Sequence, residues 1–217
     1  MTLVGVIGWA GGLTSTVMLL PQLFALLRTG DTKGMAWPLW VVFIGTTMGW
    51  ISHGVTVHQA FIILSNSVSF CATVVSIIFL KRAGKLPSWW LVLLGVAFGA
   101  LLVWLDRGVG SAAFGATVVT PIAIAKLHQG VEIMRDRQVS GVSVWSWVIQ
   151  LANELVWLTW ALMMIEPGTI ISAVVTGTCN TFVLAWLLLR RAGIGPFFAK
   201  AGPVGPETIG PVRSIGG

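Results

Sequence analysis

Apolar residues run through this chain in long blocks, broken at intervals by short clusters of Gly, Pro and charged residues. A bilayer core needs about 20 mostly apolar residues per helix. Seven blocks reach that length, at 4–28, 36–57, 60–80, 88–105, 111–133, 142–164 and 168–189. The pattern predicts an all-α integral membrane protein with seven transmembrane helices. No basic residue precedes the first block and it lacks a clear small-residue cleavage site. It therefore reads as a retained helix rather than a removed signal peptide. From Gly193 onward the chain is rich in Gly and Pro and reads as a flexible tail, a solvated tether.

Composition narrows the picture. Of 217 residues, 56% are apolar and 9% charged, with no tyrosine. A soluble domain carries roughly 25% charged residues, so this chain could not cover a globular surface in water. The net charge of +6 would suit a nucleic-acid partner, but the basic residues lie thinly between apolar blocks and form no basic face. Cys71 and Cys179 sit inside apolar runs, which excludes a disulfide framework or a paired-Cys metal site. No Walker A loop, HExxH or GxSxG occurs. No cofactor, metal or enzymatic activity is expected.

Seven spans place alternate loops on opposite sides. One side then collects Arg28, Lys33, Lys81, Arg82, Lys85, Lys126 (as a snorkelling side chain), Arg135, Arg137, Arg190, Arg191, Lys200 and Arg213, and the other only Arg107. The positive-inside rule places the N-terminus outside and the C-terminus in the cytoplasm of a multi-pass cell-membrane protein.

The chain also repeats itself. A shift of 107 positions lays Leu20-Pro21-Gln22 on Leu127-His128-Gln129, Lys33-Gly34 on Ser140-Gly141, Trp40 on Trp147 and Trp50 on Trp157. A shift of 109 lays Lys81-Arg82-Ala83-Gly84 on Arg190-Arg191-Ala192-Gly193. The repeat unit is three helices, spans 1–3 and 5–7. Span 4 acts as an inversion linker that leaves the two units parallel. The organisation is 1–86 for the first repeat, 87–108 for the linker helix, 109–192 for the second repeat and 193–217 for the tail. Parallel repeats about an axis along the membrane normal are a transporter plan, with the solute site between the halves.

Leu20-Pro21-Gln22, followed by Thr32-Lys33-Gly34 and a Trp-rich helix, resembles the PQ-loop signature, and Gln138 to Ser143 is similar to its loop end. The three-one-three arrangement with an outside N-terminus resembles the SWEET sugar facilitators within that superfamily. The resemblance covers all seven spans. It implies movement of a small polar solute, a sugar first, by alternating access. Proton-coupled amino-acid exporters and non-transporting members share the fold. It also implies proline hinges in four helices. Pro21 matches the first and Pro38 the second, while the second repeat has His128 and Trp145 there, with Pro121 two turns earlier as a substitute. Gln22 and Gln129 flank the two signature positions. A static kink is the alternative for Pro21 and Pro121. The family's third helix carries an acid and then Pro-Asn. Here the first repeat has Gln59, Ser65 and Asn66, and the second Glu166, Ser172 and Ala173, with Asn180 the nearest substitute amide.

The candidate solute site follows from matching stripes at i, i+4, i+7 spacing: Thr46, Trp50 and His53 in span 2, and Asn153, Trp157 and Trp160 in span 6. Trp50 and Trp157 at one depth, with Asn66, Asn153 and Asn180, would stack on and hydrogen-bond a small polar molecule. Helix packing and interhelical hydrogen bonds are the alternatives. Glu154 is the one acid near the middle of a span. Its charged form costs several kcal/mol there, which makes it the candidate proton-coupling residue, against a structural hydrogen bond. His128 is a candidate proton relay. His53 and His58 are expected at a solvated outer mouth, and Trp37, Trp40, Trp89, Trp90, Trp145 and Trp147 as interface anchors. Gly95-x-x-x-Gly99 predicts that span 4 docks closely on the first repeat, with an oligomer contact as the alternative. The expected partners are the lipid bilayer and the solute.

Overall fold

The computed structural model describes residues 2–32, 35–135 and 143–197, and it is all-helical over them. The chain forms α1 (Leu3–Thr29), α2 (Trp37–Thr56), α3 (Ala60–Arg82), α4 (Val92–Gly108), α5 (Ser111–Arg135), α6 (Val144–Met164) and α7 (Pro167–Arg191). A short 3-10 turn at Trp89–Leu91 leads into α4. Lys33 and Gly34, the loop 136–142 and the stretch 198–217, which holds most of the expected tail, lie outside the described residues.

Local chemistry sets the boundaries. Thr2 accepts from the Gly5 N–H at 3.3 Å to cap α1, and Ser143 accepts from the Ser146 N–H at 3.3 Å to cap α6. Gly30 ends α1 in a left-handed conformation, φ +66°, that a Cβ would disfavour. Pro38 falls in the first turn of α2, where its missing N–H would have had no helical partner anyway. It starts its helix instead of interrupting it. Pro21 and Pro121 do lie inside α1 and α5.

Six helices are long and apolar enough to cross a membrane: α1, α3, α4 with its leading turn, α5, α6 and α7. Their outward faces carry exposed Leu13, Val17, Phe24, Leu64, Leu94, Trp104, Ile124 and Leu155. Such a surface suits lipid and not water. The molecule is consistent with a multi-pass membrane protein. The exception among the seven expected spans is α2, whose 20 residues include Thr46, Thr47, Ser52, His53 and three glycines. Protein rather than solvent covers that helix, since nine of its residues are buried.

In each half, the third helix packs against the other two: α3 against α1 and α2, and α7 against α5 and α6. α1 meets α6 and α2 meets α5, while α4 packs on both α2 and α5. Trp40, Val41 and Ile44 of α2 pack with Ile77 and Leu80 of α3. Trp147 of α6 packs with Val183 and Leu187 of α7 and Ile133 of α5. Trp40 and Trp147 are thus core residues and not interface anchors, whereas Trp89, Trp90 and Trp145 are exposed. Cys71 is exposed and Cys179 buried, both as free thiols.

Small residues let α4 and α2 touch backbone to backbone. A Cβ on Gly95 would overlap the Val41 carbonyl oxygen, and one on Gly45 would come within 2.6 Å of the Gly95 carbonyl. At the other side, a Cβ on Gly115 of α5 would run into the backbone of Gly168 at the start of α7. Gly95→Val should therefore destabilise the purified protein by roughly 1–3 kcal/mol through overpacking. Gly177→Ala, whose methyl would meet only Glu154 Cβ at 3.8 Å, should leave thermal unfolding in detergent unchanged.

Candidate functional site

Between the halves lies a cavity of about 370 Å³, lined from α1, α2, α3, α5, α6 and α7 but not from α4. Its lining falls into pairs separated by the same 107 positions that relate the sequence repeats. Ser15 pairs with Ile122, Phe43 with Gln150, and Trp50 with Trp157. Ile62 pairs with Thr169, Ser65 with Ser172, Asn66 with Ala173, and Ser69 with Thr176. Fourteen of the seventeen lining residues are accounted for in this way. The remaining three, Lys126, Asn153 and Glu154, are polar and all belong to the second half; their counterparts in the first are Leu19, Thr46 and Thr47.

Lys126 projects from α5 to the α6–α7 side. Its Nζ donates to Asn180 Oδ1 of α7 at 2.5 Å and to Gln150 Oε1 of α6 at 3.2 Å, and lies 5.6 Å from the centre of the Trp147 ring. It does not reach for an interface as a snorkelling lysine would. Asn180 is fully buried and serves the cavity through this bond rather than by lining it. On the facing wall, Ser15 Oγ accepts from Trp157 Nε1 at 3.1 Å and from Asn153 Nδ2 at 3.2 Å, joining α1 to α6. The Asn66 amide nitrogen donates to the Ile62 carbonyl of its own helix at 2.9 Å. Glu154 lies between the cavity and a shallow groove on the outer face of α6 and α7.

The cavity is open toward one end of the molecule and closed toward the other. A second hollow of about 510 Å³ shares Phe43, Ile122, Lys126 and Gln150 with it and continues past Gln129, Ser143 and Ser146. That end also carries Arg28, Lys81, Arg82, Lys85, Arg135, Arg190 and Arg191 at the last turns of α1, α3, α5 and α7 and in the following loops. At the opposite end, aromatic rings close the path. Phe61 packs on Trp157 and Trp160 at centroid distances of 6.0 and 5.3 Å, and Trp50 meets Phe114 edge-on at 5.0 Å.

Behind those rings sits a polar cluster. His53 at the end of α2 is fully buried, not solvated, and stacks on Phe114 at 4.7 Å. Its Nδ1 lies 2.9 Å from Asp106 Oδ1 of α4, and its Nε2 lies 3.4 Å from Glu166 Oε2, within ion-pair reach but not aligned for a hydrogen bond. Each of its two ring nitrogens thus faces a carboxylate. Glu166 also caps α7, accepting from Gly168 N at 3.0 Å and Thr169 N at 2.5 Å, and takes a hydrogen bond from Ser111 Oγ of α5. Ser52 beside this cluster accepts from Arg107 at 3.2 Å. Charge thus ties α2, α4, α5 and the α6–α7 turn together at the closed end.

Of the residues singled out from sequence, Trp50, Asn66, Asn153, Trp157 and Glu154 come together in the lining. Gln129 borders the second hollow. Pro21 and Gln22 face outward on α1, and Pro121 is half-buried in α5. The His128 side chain is 75% exposed and sits 3.8 Å from Glu132, away from the cavity. Sequence reasoning missed Lys126 and Gln150 as cavity residues, and the His53–Asp106–Glu166 cluster altogether. The available signal for the cluster was two acids at helix ends on the side poor in basic residues. No protein-family model matches this chain, and no curated protein matches it in sequence.

Burial alone would raise the Glu166 carboxyl, but the nearby His53 ring and hydrogen bonds from Ser111 and Thr169 outweigh it and hold the group at about 2, below the ordinary 4.5. A depressed carboxyl stabilises the fold in its ionised form. That contribution is fully present above pH 4.5 and is lost as pH falls toward 2. Glu166→Gln should lower the midpoint of thermal unfolding at pH 7. It should also flatten the loss of stability that the wild type shows between pH 4.5 and 2. Circular dichroism melts of both proteins in detergent check the two expectations.

Proposed function

We propose that this chain is a transporter of the PQ-loop, SWEET-like kind, moving a small polar solute by alternating access between two parallel three-helix repeats. α1–α3 form the first repeat, α5–α7 the second, and α4 the inversion linker. The N-terminus lies outside and the basic end faces the cytoplasm, in the cell membrane. The observation that carries the reading is the paired lining: residues 107 positions apart line one cavity together. A site built on a pseudo-two-fold axis is equally available to either side when the halves rock. A volume of about 370 Å³ is at the low end of the roughly 300–1,000 Å³ of small-molecule sites, which suits a solute of sugar size. The open basic end and the opposite end sealed by Phe61, Trp160 and the His53–Glu166 contact support an inward-facing state.

Trp50 and Trp157 supply apolar faces, and Asn66 and Asn153 supply amides, for such a solute. Glu154 is the one titratable carboxylate in the lining and serves as the site of proton coupling if flux follows a pH gradient. His128, exposed on α5, takes no part.

Purified protein in liposomes, assayed with labelled sugars and amino acids with and without a pH gradient, tests the reading. Flux of at least one solute is expected. Trp157→Ala should reduce it roughly tenfold, the scale of losing one well-placed ring contact. Gradient-independent flux of a sugar marks a facilitator. Gradient-dependent flux lost in Glu154→Gln marks proton coupling. No flux from folded protein overturns transport in favour of a receptor or assembly role.

A further inference from the structure

The three lining residues that break the pairing are where the solute's chemistry is written. Lys126 is a cation in the wall of a cavity whose surroundings are helices of high apolar content. It is held there by neutral oxygens alone: Asn180 Oδ1 at 2.5 Å and Gln150 Oε1 at 3.2 Å. These partners fix its position and occupy two of the three ammonium donors. Among the described residues no carboxylate lies within 4.0 Å of Nζ. Glu154, the one acid in the same lining but beyond 4.0 Å, acts on that charge electrostatically without taking a donor. Asn180 is itself fully buried with its amide nitrogen unpartnered. The amide is thus committed to orienting the lysine. A cation costs several kcal/mol in such a place, and nothing in the fold of the second half requires one, since the first half builds the equivalent position with Leu19.

We infer that Lys126 is the anion-recognition residue of the cavity, and that the solute is a small polar molecule carrying one carboxylate. This rests on the transport reading for the cavity's role and adds the solute's charge. The carboxylate takes the free donor of Lys126. The rest of the molecule lies toward Trp50 and Trp157, with Asn153 beside them as a hydrogen-bonding group. A sugar hydroxyl can accept from the third donor but brings no countercharge, so the acid should be preferred over the matching alcohol.

Two matched pairs of probes isolate that one group: glucuronate against glucose, and lactate against 1,2-propanediol. Binding to the full-length protein in detergent is read by quenching of tryptophan fluorescence and by calorimetry. In at least one pair the acid should bind roughly tenfold or more tightly than the alcohol, the scale of one charge-assisted hydrogen bond. Lys126→Met should abolish that preference while keeping the thermal midpoint, and Lys126→Arg should retain it. Equal binding within each pair, or a preference that survives in Lys126→Met, overturns the inference and leaves transport of a neutral solute standing. An acid preference that depends on Lys126, in protein that shows no flux in liposomes, supports the inference and overturns transport. Binding of none of the four probes overturns the inference and leaves the transport reading to the flux assay.

Discussion

Hydrocarbon offers no hydrogen bonds, so every polar side chain on these helices must find its partner within the protein. The chain meets most of this demand in two ways, while Trp160 Nε1, Thr169 Oγ1 and Asn180 Nδ2 stay buried without a hydrogen-bond partner. Outward-facing hydroxyls fold back onto their own helix: Thr120 bonds the Ala116 carbonyl at 2.7 Å, Thr159 that of Leu155 at 2.7 Å and Thr178 that of Val174 at 2.7 Å. Groups that cannot do so, namely long amides, the lysine and the carboxylates, gather inside. The cavity and the closed-end cluster are the two places where that gathering happens. The site exists because polar groups had to be collected somewhere, and the paired helices decide where.

The same constraint explains how the closed end is built. A sealed path needs both bulk and a specific attachment between the halves. Phe61, Trp157 and Trp160 supply the bulk, stacked edge to face. His53 supplies the attachment, reaching from α2 to Glu166 at the start of α7 while Asp106 of α4 holds its other nitrogen. α4 therefore does more than connect its neighbours. It carries one carboxylate of the cluster, and through Leu102 against Phe114 and Val118 it braces α5 as well.

Much of the helix framework was legible in the sequence because block length and Gly/Pro punctuation act locally. The pairing of Trp50 with Trp157 was legible because a repeat in sequence puts equivalent residues at equivalent depths. Lys126 was not. Whether a lysine on α5 turns toward lipid headgroups or toward Asn180 depends on which face of α5 meets α7, and no local pattern records that. His53 was misplaced for a related reason. Its position at the end of a span suggested water, but Phe114, Asp106 and Glu166 arrive from α5, α4 and the α6–α7 turn and enclose it. Pro38, matched to a hinge by resemblance, stands at a helix start, a placement that comes into view only with the first turn of α2.

Ser15 gives the interface between the halves a particular character. One hydroxyl oxygen receives both the Trp157 indole N–H and the Asn153 amide. Pulling α1 away from α6 would strip both donors in the same movement. The restoring force therefore vanishes abruptly rather than fading with distance. Such a joint behaves as a latch with two positions, engaged or released, and it gives the separation of α1 from α6 a threshold instead of a slope.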